Sequence, residues 1–239
     1  MIDEHLTAAR SELHRIAAHV VARARHQATG RFSLRVTAGG FGTPDLDGGG
    51  RRVRVSGASL VVESDVAGAA SAIARPIAGS SLRELAELAG VDLDAELSVG
   101  HDTPALGDID RPIVLAPGAA TALARALGRA AAVLDLVVTE WSGRPGRSPA
   151  TLPRLWPEHF DVAVEVPAAQ SRVNVGGSPG DGFCDEPYWY VGPWDALRPG
   201  GGAYWNAPFG ALATFAALPD DRDALAFLLE GVERLDRPA

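Results

Sequence analysis

"EHFDVAVEVPAAQSRVNVGG", residues 158–177, decides the fold class because polar and apolar side chains alternate along it. Successive residues of a β-strand point to opposite faces of a sheet. The polar face of the first strand receives His159, Asp161 and Glu165, and the other face receives Phe160, Val162, Val164 and Val166. Such alternation is typical of an antiparallel sheet that is packed on one face only.

The same stretch predicts a β-hairpin, because two alternating runs flank a short loop. We expect Val166 to pair with Ser171 across that loop. This register places Arg172 opposite Glu165, where their opposite charges attract each other. Asn174 then points to the same polar face.

Helical periodicity marks three long helices, from about residue 4 to 27, from about 118 to 141, and from about 220 onward. Alternating segments lie between the helices, among them "RFSLRVT", "RRVRVSGASLVVES" and "EPYWYVGPW". Strands that alternate in this way bury one face against helices. The sequence therefore predicts an α+β fold of antiparallel sheets with long helices packed on one face.

The chain is expected to divide into two parts. Residues 1–141 form a helix, strand and helix half, 142–153 form a linker rich in Pro and Gly, and 154–239 form a β-rich half with a terminal helix. The echo of "RVRVSG" in "RVNVGG" indicates two similar α-β-β-β-α halves. A single compact domain is the alternative.

Composition excludes several classes of function. A formal net charge of −8 argues against nucleic-acid binding, which needs a basic face. All 22 basic residues are arginine, so no lysine is present for a Walker-type nucleotide site or for the Schiff base of pyridoxal phosphate. The charged N-terminal segment lacks the apolar core of a signal peptide, and no apolar run is long enough to span a bilayer. We expect a cytoplasmic protein without a membrane or nucleic-acid partner.

The sequence also restricts the chemistry of its cysteine and of one serine motif. Cys184 is the only cysteine, so it cannot form an intrachain disulfide or hold an iron–sulfur cluster. Gly176, Ser178 and Gly180 match the GxSxG pattern of a nucleophile elbow. Pro179 follows the serine, however, and it lacks the N–H that an oxyanion hole would use.

A second group of polar and aromatic side chains lies in "GDGFCDEPYWYVGPW", residues 180–194. Alternation puts Glu186, Tyr188 and Tyr190 on one face of this strand and Trp189 on the other. All five tryptophans and all three tyrosines occur from Trp141 onward, which favours an aromatic-lined cleft and equally an aromatic core.

These patterns predict a set of site residues. The candidates for acid–base chemistry are His159, Asp161, Asp181, Glu186, Tyr188 and Tyr190. The candidates for ligand binding are Arg172, Asn174, Trp189 and Trp205. A histidine with carboxylates also permits a divalent metal, but the spacing does not single one out. The cofactor, if any, stays unknown at this stage.

The elements "LWPEHFD", "SPGD", "EPYWYVGPW" and "YWN" resemble, in the same order, an uncharacterised bacterial family known only as a domain of unknown function. The resemblance covers most of the chain, and the EPYxYVxPW element is its most specific part. It implies no activity, and Cys184 lies outside its pattern.

Three hypotheses follow. The first is a small-molecule pocket lined by histidine, carboxylates, arginine and tyrosines, whose carboxylates or His159 act as general acid and base. The second is a non-catalytic interaction protein, such as a homodimer, with exposed tryptophans at its interface. The third is that the polar face is ordinary solvated surface.

Overall fold

The computed structural model describes residues 4–66, 68–95, 99–100, 102–169, 171–196, 198–200 and 202–236. The helices are α1 (Glu4–Ile16), a π-helical turn (Ala17–Val21), α2 (Ala22–Thr29), α3 (Leu82–Ala89), α4 (Ala119–Ser142) and α5 (Asp221–Asp236). The strands are β1 (Arg35–Thr37), β2 (Gly40–Gly42), β3 (Arg52–Ser56), β4 (Ser59–Val66), β5 (Ala69–Pro76), β6 (Arg154–Trp156), β7 (Asp161–Pro167), β8 (Arg172–Ser178), β9 (Tyr188–Pro193) and β10 (Ala211–Thr214).

The strands form two five-stranded sheets, in the orders β1-β2-β3-β4-β5 and β6-β7-β8-β9-β10. Strands that are consecutive in the chain are neighbours in the sheet, and their registers are antiparallel. The α+β class with antiparallel sheets is therefore confirmed.

The chain divides into two compact units, of which the first comprises residues 1–128 and 155–160. Its helices α1 and α2 continue into each other through the π-helical turn, and Leu13, Ile16 and Val20 are at most 2 % exposed. The capping box of Ser81 and Glu84 begins α3, as the serine accepts from the Glu84 N–H and the Glu84 carboxylate accepts from the Ser81 N–H. Together with the meander β1–β5, these helices build the first core.

The second unit comprises residues 129–154 and 161–239, and its sheet is apolar on one face. The fully buried side chains on this face are Val162, Val164, Val173, Val175, Trp189 and Val191. Glycines let the two helices approach this face: a Cβ at Gly177 would lie 2.7 Å from the Ala130 Cβ of α4. A Cβ at Gly231 of α5 would lie 2.7 Å from the Val191 side chain. Helices therefore cover one face of this sheet, as the alternation predicts.

The hairpin register differs from the expected one by two residues. Val166 pairs with Val173, and Pro167 with Arg172, so Asn174 rather than Arg172 lies opposite Glu165. Pro167 has no N–H to donate and occupies the last pair of the strand, where a proline is tolerated. Because side chains alternate with a period of two residues, a shift of two leaves every side chain on its predicted face.

Each half has five strands rather than the three of the predicted α-β-β-β-α pattern. β1 lies within the predicted strand "RFSLRVT". Of the strands that were not predicted, β2 and β6 have three residues each, too few to show an alternating pattern, and β5 consists mainly of small side chains that are exposed at nearly every position. The segment "AYWNAPFGALATFAAL" contributes β10.

The segment 142–153, predicted to be a linker, lies entirely within the second unit and is hydrogen-bonded to it. Thr151 donates its N–H to the Glu165 carbonyl, at 2.9 Å, and accepts from the Glu165 N–H through Oγ1, also at 2.9 Å. Trp141 donates its indole N–H to the Ser148 carbonyl. Among the described residues, none of the helices combines the length and apolar character that crossing a bilayer requires.

Candidate functional site

The face of the second sheet opposite its helices carries the polar side chains, and we call it the polar face. Its residues fall into rows across β7, β8 and β9: Asp161, Ser178 and Tyr188; Ala163, Gly176 and Tyr190; Glu165, Asn174 and Gly192. Arg172, the first residue of β8, and Trp194, which follows the last residue of β9, continue this register. The backbone N–H of Trp194 donates to the Arg172 carbonyl at 2.9 Å. Small residues thus occupy the middle of the face and polar or aromatic residues surround them.

Tyr190 and Asp161 form the first of two tyrosine–aspartate pairs. The Tyr190 hydroxyl donates to Oδ2 of Asp161, whose residue surface is only 6 % exposed. To reach it, the phenol ring crosses Gly176, where a Cβ would lie 2.5 Å from the ring Cζ. A glycine at this position is therefore what allows the pair to form.

Tyr188 and Asp181 form the second pair, in which the hydroxyl donates to Oδ2 at 2.5 Å. The other oxygen of Asp181 accepts from the backbone N–H groups of Phe183 and Cys184, at 2.8 and 3.0 Å. One carboxylate thus both shapes the loop before β9 and holds the tyrosine. Loop and strand are positioned by the same side chain.

Tyr188 is buried, and this burial, reinforced by its hydrogen bond to Asp181, raises the pKa of its hydroxyl far above the ordinary value. The hydroxyl is consequently a hydrogen-bond donor at neutral pH and cannot serve as a base there. Ser178 lies beside it, 2 % exposed, and accepts from the Gly180 N–H at 3.1 Å.

Trp194 and Arg172 form the outer end of the polar face. Trp194 is 60 % exposed, its indole N–H donates to Oδ1 of Asn174 at 3.1 Å, and the Arg172 guanidinium lies 5.5 Å from its ring centroid. Arg172 also pairs with Glu165 at 2.7 Å. These contacts hold an exposed aromatic ring at one end of the polar face.

Gly192 lies between the Tyr190 and Trp194 positions on this face. A Cβ added there would meet no atom closer than 3.8 Å, and its nearest neighbours are carbonyl oxygens of Asn174 and Phe209 and the Tyr190 ring. Gly192 therefore forms an open floor, whereas the floor at Gly176 is covered by the Tyr190 ring.

Two of the predicted acid–base residues lie apart from these pairs. His159 belongs to the first unit, where its Nδ1 lies 3.1 Å from Oδ2 of Asp102. Glu186 is exposed just before β9, and its backbone carbonyl faces the Cys184 thiol at 3.6 Å. The predicted combination of His159 with Asp161 is replaced by His159 with Asp102 and Asp161 with Tyr190.

The predicted aromatic ligand-binding residues take other positions as well. Trp189 is fully buried on the helix-facing side, stacked on Phe215 at 4.2 Å between ring centroids. Trp205 donates its indole N–H to the Pro199 carbonyl at 2.9 Å and is only partly exposed. Sequence analysis did not place Trp194 or Gly192 in the ligand site, although their i+2 and i+4 spacing from Tyr190 is the signal for a shared face.

Metal ligation has no support in the geometry of the described residues. Within them, no three or more histidine, cysteine, aspartate or glutamate side chains are grouped so that they could hold a metal ion.

Alkaline titration provides a test of the tyrosine environments. Burial is the main cause that raises the pKa of Tyr188 and of Tyr204, followed by Asp181 for the first and by Glu230 for the second. A pKa raised on folding contributes stability that is complete below the unfolded pKa of about 10 and is lost as pH rises through the folded value. We expect phenolate absorbance from these two tyrosines to develop only together with unfolding. Three tyrosines that all ionise near pH 10 in a chain with native circular dichroism would contradict these environments.

Comparison with known proteins finds no protein-family model, no curated protein and no solved structure that matches this chain. The resemblance of its motifs to a bacterial family stays a prediction from the sequence.

Proposed function

We propose that the protein binds a small polar molecule on the polar face of the second sheet. The observation that carries the proposal is the open floor at Gly192, between the Tyr190 ring and the exposed Trp194 ring. Ligand sites commonly combine aromatic surface with a few well-placed polar groups. Here the polar groups are the carboxylate of Glu165, the amide of Asn174 and the guanidinium of Arg172.

The burial pattern supports this proposal over an ordinary solvated surface. Asp161, Ser178 and Tyr188 lie on the outward face of the sheet, yet each is at most 6 % exposed. Burying a carboxylate costs free energy that hydrogen bonds only partly return. Departures of this kind from simple polar-outside patterning are expected at functional sites.

The two tyrosine–aspartate pairs have the role of fixing the inner wall of the site. Each tyrosine hydroxyl is committed as a donor to a carboxylate, which holds the ring in one orientation. A ring held before the ligand arrives loses little conformational entropy on binding. We assign Asp161 and Asp181 to positioning, and we place Tyr190 with Gly192, Asn174 and Trp194 in contact with the ligand.

Gly192→Ala tests the proposed site directly. The new methyl group occupies the floor without a close contact, so the free energy of unfolding is expected to change by no more than about 0.5 kcal/mol. Ligand affinity is expected to fall by about tenfold or more, since the methyl group takes the ligand's place. The measurement is a screen of monosaccharides, amino acids and organic amines by ligand-observed NMR, followed by titration of each hit against wild type and variant.

Gly182→Ala is the matched control, because Gly182 has no atom within 4 Å of an added Cβ and lies on the loop outside the floor. It should bind every hit as wild type does. Hits that bind wild type, Gly192→Ala and Gly182→Ala with equal affinity would place binding elsewhere and refute the proposed site. A chain that binds none of the screened classes would also count against it.

A further inference from the structure

The strand β5 is the terminal strand of the first sheet, and within the described residues no further strand pairs with its outer edge. It pairs with β4 along eight consecutive residue pairs, from Ser59 with Pro76 to Val66 with Ala69, without a bulge. Its burial pattern is exposed at nearly every position. Proteins usually protect such an edge with charged residues, proline, a bulge or a covering segment. The stretch "AASAIA", residues 69–74, contains no charged residue and no proline.

The direction of the backbone groups on β5 follows from one hydrogen bond. The Ile77 N–H donates to the Ala58 carbonyl at 2.9 Å, and these residues continue the β4–β5 register. In an antiparallel pair, hydrogen-bonded and non-hydrogen-bonded residue pairs alternate. Every second residue before Ile77 therefore bonds to β4, and the residues between them direct N–H and C=O outward. The outward set is Ala70, Ala72 and Ala74.

We propose that β5 pairs with β5 of a second copy of this chain, antiparallel, about a two-fold axis at Ala72. In this register Ala72 faces Ala72 of the second copy, Ala70 faces the second copy's Ala74, and Ala74 faces the second copy's Ala70. All three facing pairs are hydrogen-bonded pairs, which gives about six backbone hydrogen bonds, two for each. The β1–β5 sheet of one chain and the β1–β5 sheet of the second copy then form one continuous sheet of ten strands.

The features of β5 favour a second copy over an unrelated partner. The edge is self-complementary under a two-fold axis, which is the symmetry of most homodimers. Ile73 is a large apolar side chain that is 63 % exposed. In the proposed dimer it lies opposite Ser71 of the second copy and diagonal to the second copy's Ile73, so the two Ile73 side chains cover each other.

Charge also permits this arrangement, although each chain has a net charge of −8. Arg75 is the only charged residue of β5, and the two-fold axis places it opposite Ala69 of the second copy, far from the other Arg75. No like charges meet along the paired edge. An interface of one strand from each chain is small, so we expect a dimer that forms in the micromolar concentration range rather than a permanent one.

Sedimentation velocity over a concentration series tests the proposal. Wild type should shift from monomer toward dimer as concentration rises. Ala72→Lys places two ammonium groups opposite each other at the axis and should weaken dimerisation by about fivefold or more. Ala8→Lys, on the exposed side of α1, adds the same charge away from the edge and should dimerise as wild type does. A wild type that stays monomeric at every concentration, or equal association of both variants, would overturn the proposal.

Cross-linking gives a second readout that does not depend on a weakened variant. Directly facing residues of a hydrogen-bonded antiparallel pair have Cα atoms about 5.5 Å apart, within the range of a disulfide. Ala72→Cys in a Cys184→Ser background should therefore oxidise to a covalent dimer with a native circular dichroism spectrum. Ala8→Cys in the same background should stay monomeric under the same conditions. Equal cross-linking of both variants would show random collision instead of the proposed pairing.

Discussion

Replacing Trp189 with alanine is expected to lower the free energy of unfolding by about 3–5 kcal/mol, the usual cost of truncating a buried tryptophan. The side chain is 0 % exposed and stacks on Phe215 with 4.2 Å between ring centroids. The Arg129 guanidinium lies 5.4 Å from the same ring, which adds a cation–π contact. Truncation removes these contacts and leaves a cavity between the sheet and its helices.

Chemical denaturation followed by circular dichroism measures this effect. Trp194→Ala is the matched control, because Trp194 is the same residue type, lies on the other face of the sheet and is 60 % exposed. Its free energy of unfolding should change by about 0.5 kcal/mol or less, while ligand affinity falls. The two variants separate a packing role from a binding role. A small loss of stability for Trp189→Ala would contradict the assignment of this residue to the core.

The alternating residues between 158 and 177 predicted which face of the hairpin is polar, and they did so despite a wrong register. The reason is that a shift of two residues conserves the faces of a strand, whereas a shift of one would have exchanged them. An alternating pattern needs several residues to be recognised, so it does not locate strand ends or strands of only three residues. For this reason β2 and β6 were not predicted as strands. The longer β5 was missed because its side chains are exposed at nearly every position and show no apolar alternation.

The candidate site was predictable where its residues share one strand and not where they come from distant loops. Tyr188 and Tyr190 are two residues apart on β9, so their common face follows from the sequence. The partner of His159 is Asp102, which lies more than fifty residues earlier in a segment without periodicity. Gly192 was missed because an open floor is defined by the side chains around it rather than by the glycine itself.

Each half has the order helix, five-stranded sheet, helix, and the internal repeat itself stays a prediction from the sequence. In both halves a long helix precedes an antiparallel meander and a further helix follows it. The echo of "RVRVSG" in "RVNVGG" falls on β3 and β8, the third strand of each sheet. Only the second sheet carries the tyrosine–aspartate pairs. Equivalent topology therefore does not bring equivalent chemistry, because the site depends on side chains and not on strand order.

Gly176→Ala is expected to lower the free energy of unfolding by about 1–3 kcal/mol, as overpacking typically does. The new Cβ would lie 2.5 Å from Cζ and 2.6 Å from the hydroxyl oxygen of Tyr190, so the ring must leave its position over the sheet. Its hydrogen bond to Asp161 is then lost, and a buried carboxylate is left with one donor fewer. Ligand affinity should fall as well, because the Tyr190 ring forms one wall of the proposed site.

A double-mutant cycle isolates this mechanism from a general effect of alanine on the strand. With Tyr190→Ala as the background, the collision has no partner, so Gly176→Ala should change the free energy of unfolding by about 0.5 kcal/mol or less. The coupling energy between positions 176 and 190 is then expected to be about 1 kcal/mol or more. Equal costs of Gly176→Ala in both backgrounds would show that the ring does not lie over Gly176. In that case Tyr190 could not reach Asp161 by the path that the register of β8 and β9 provides.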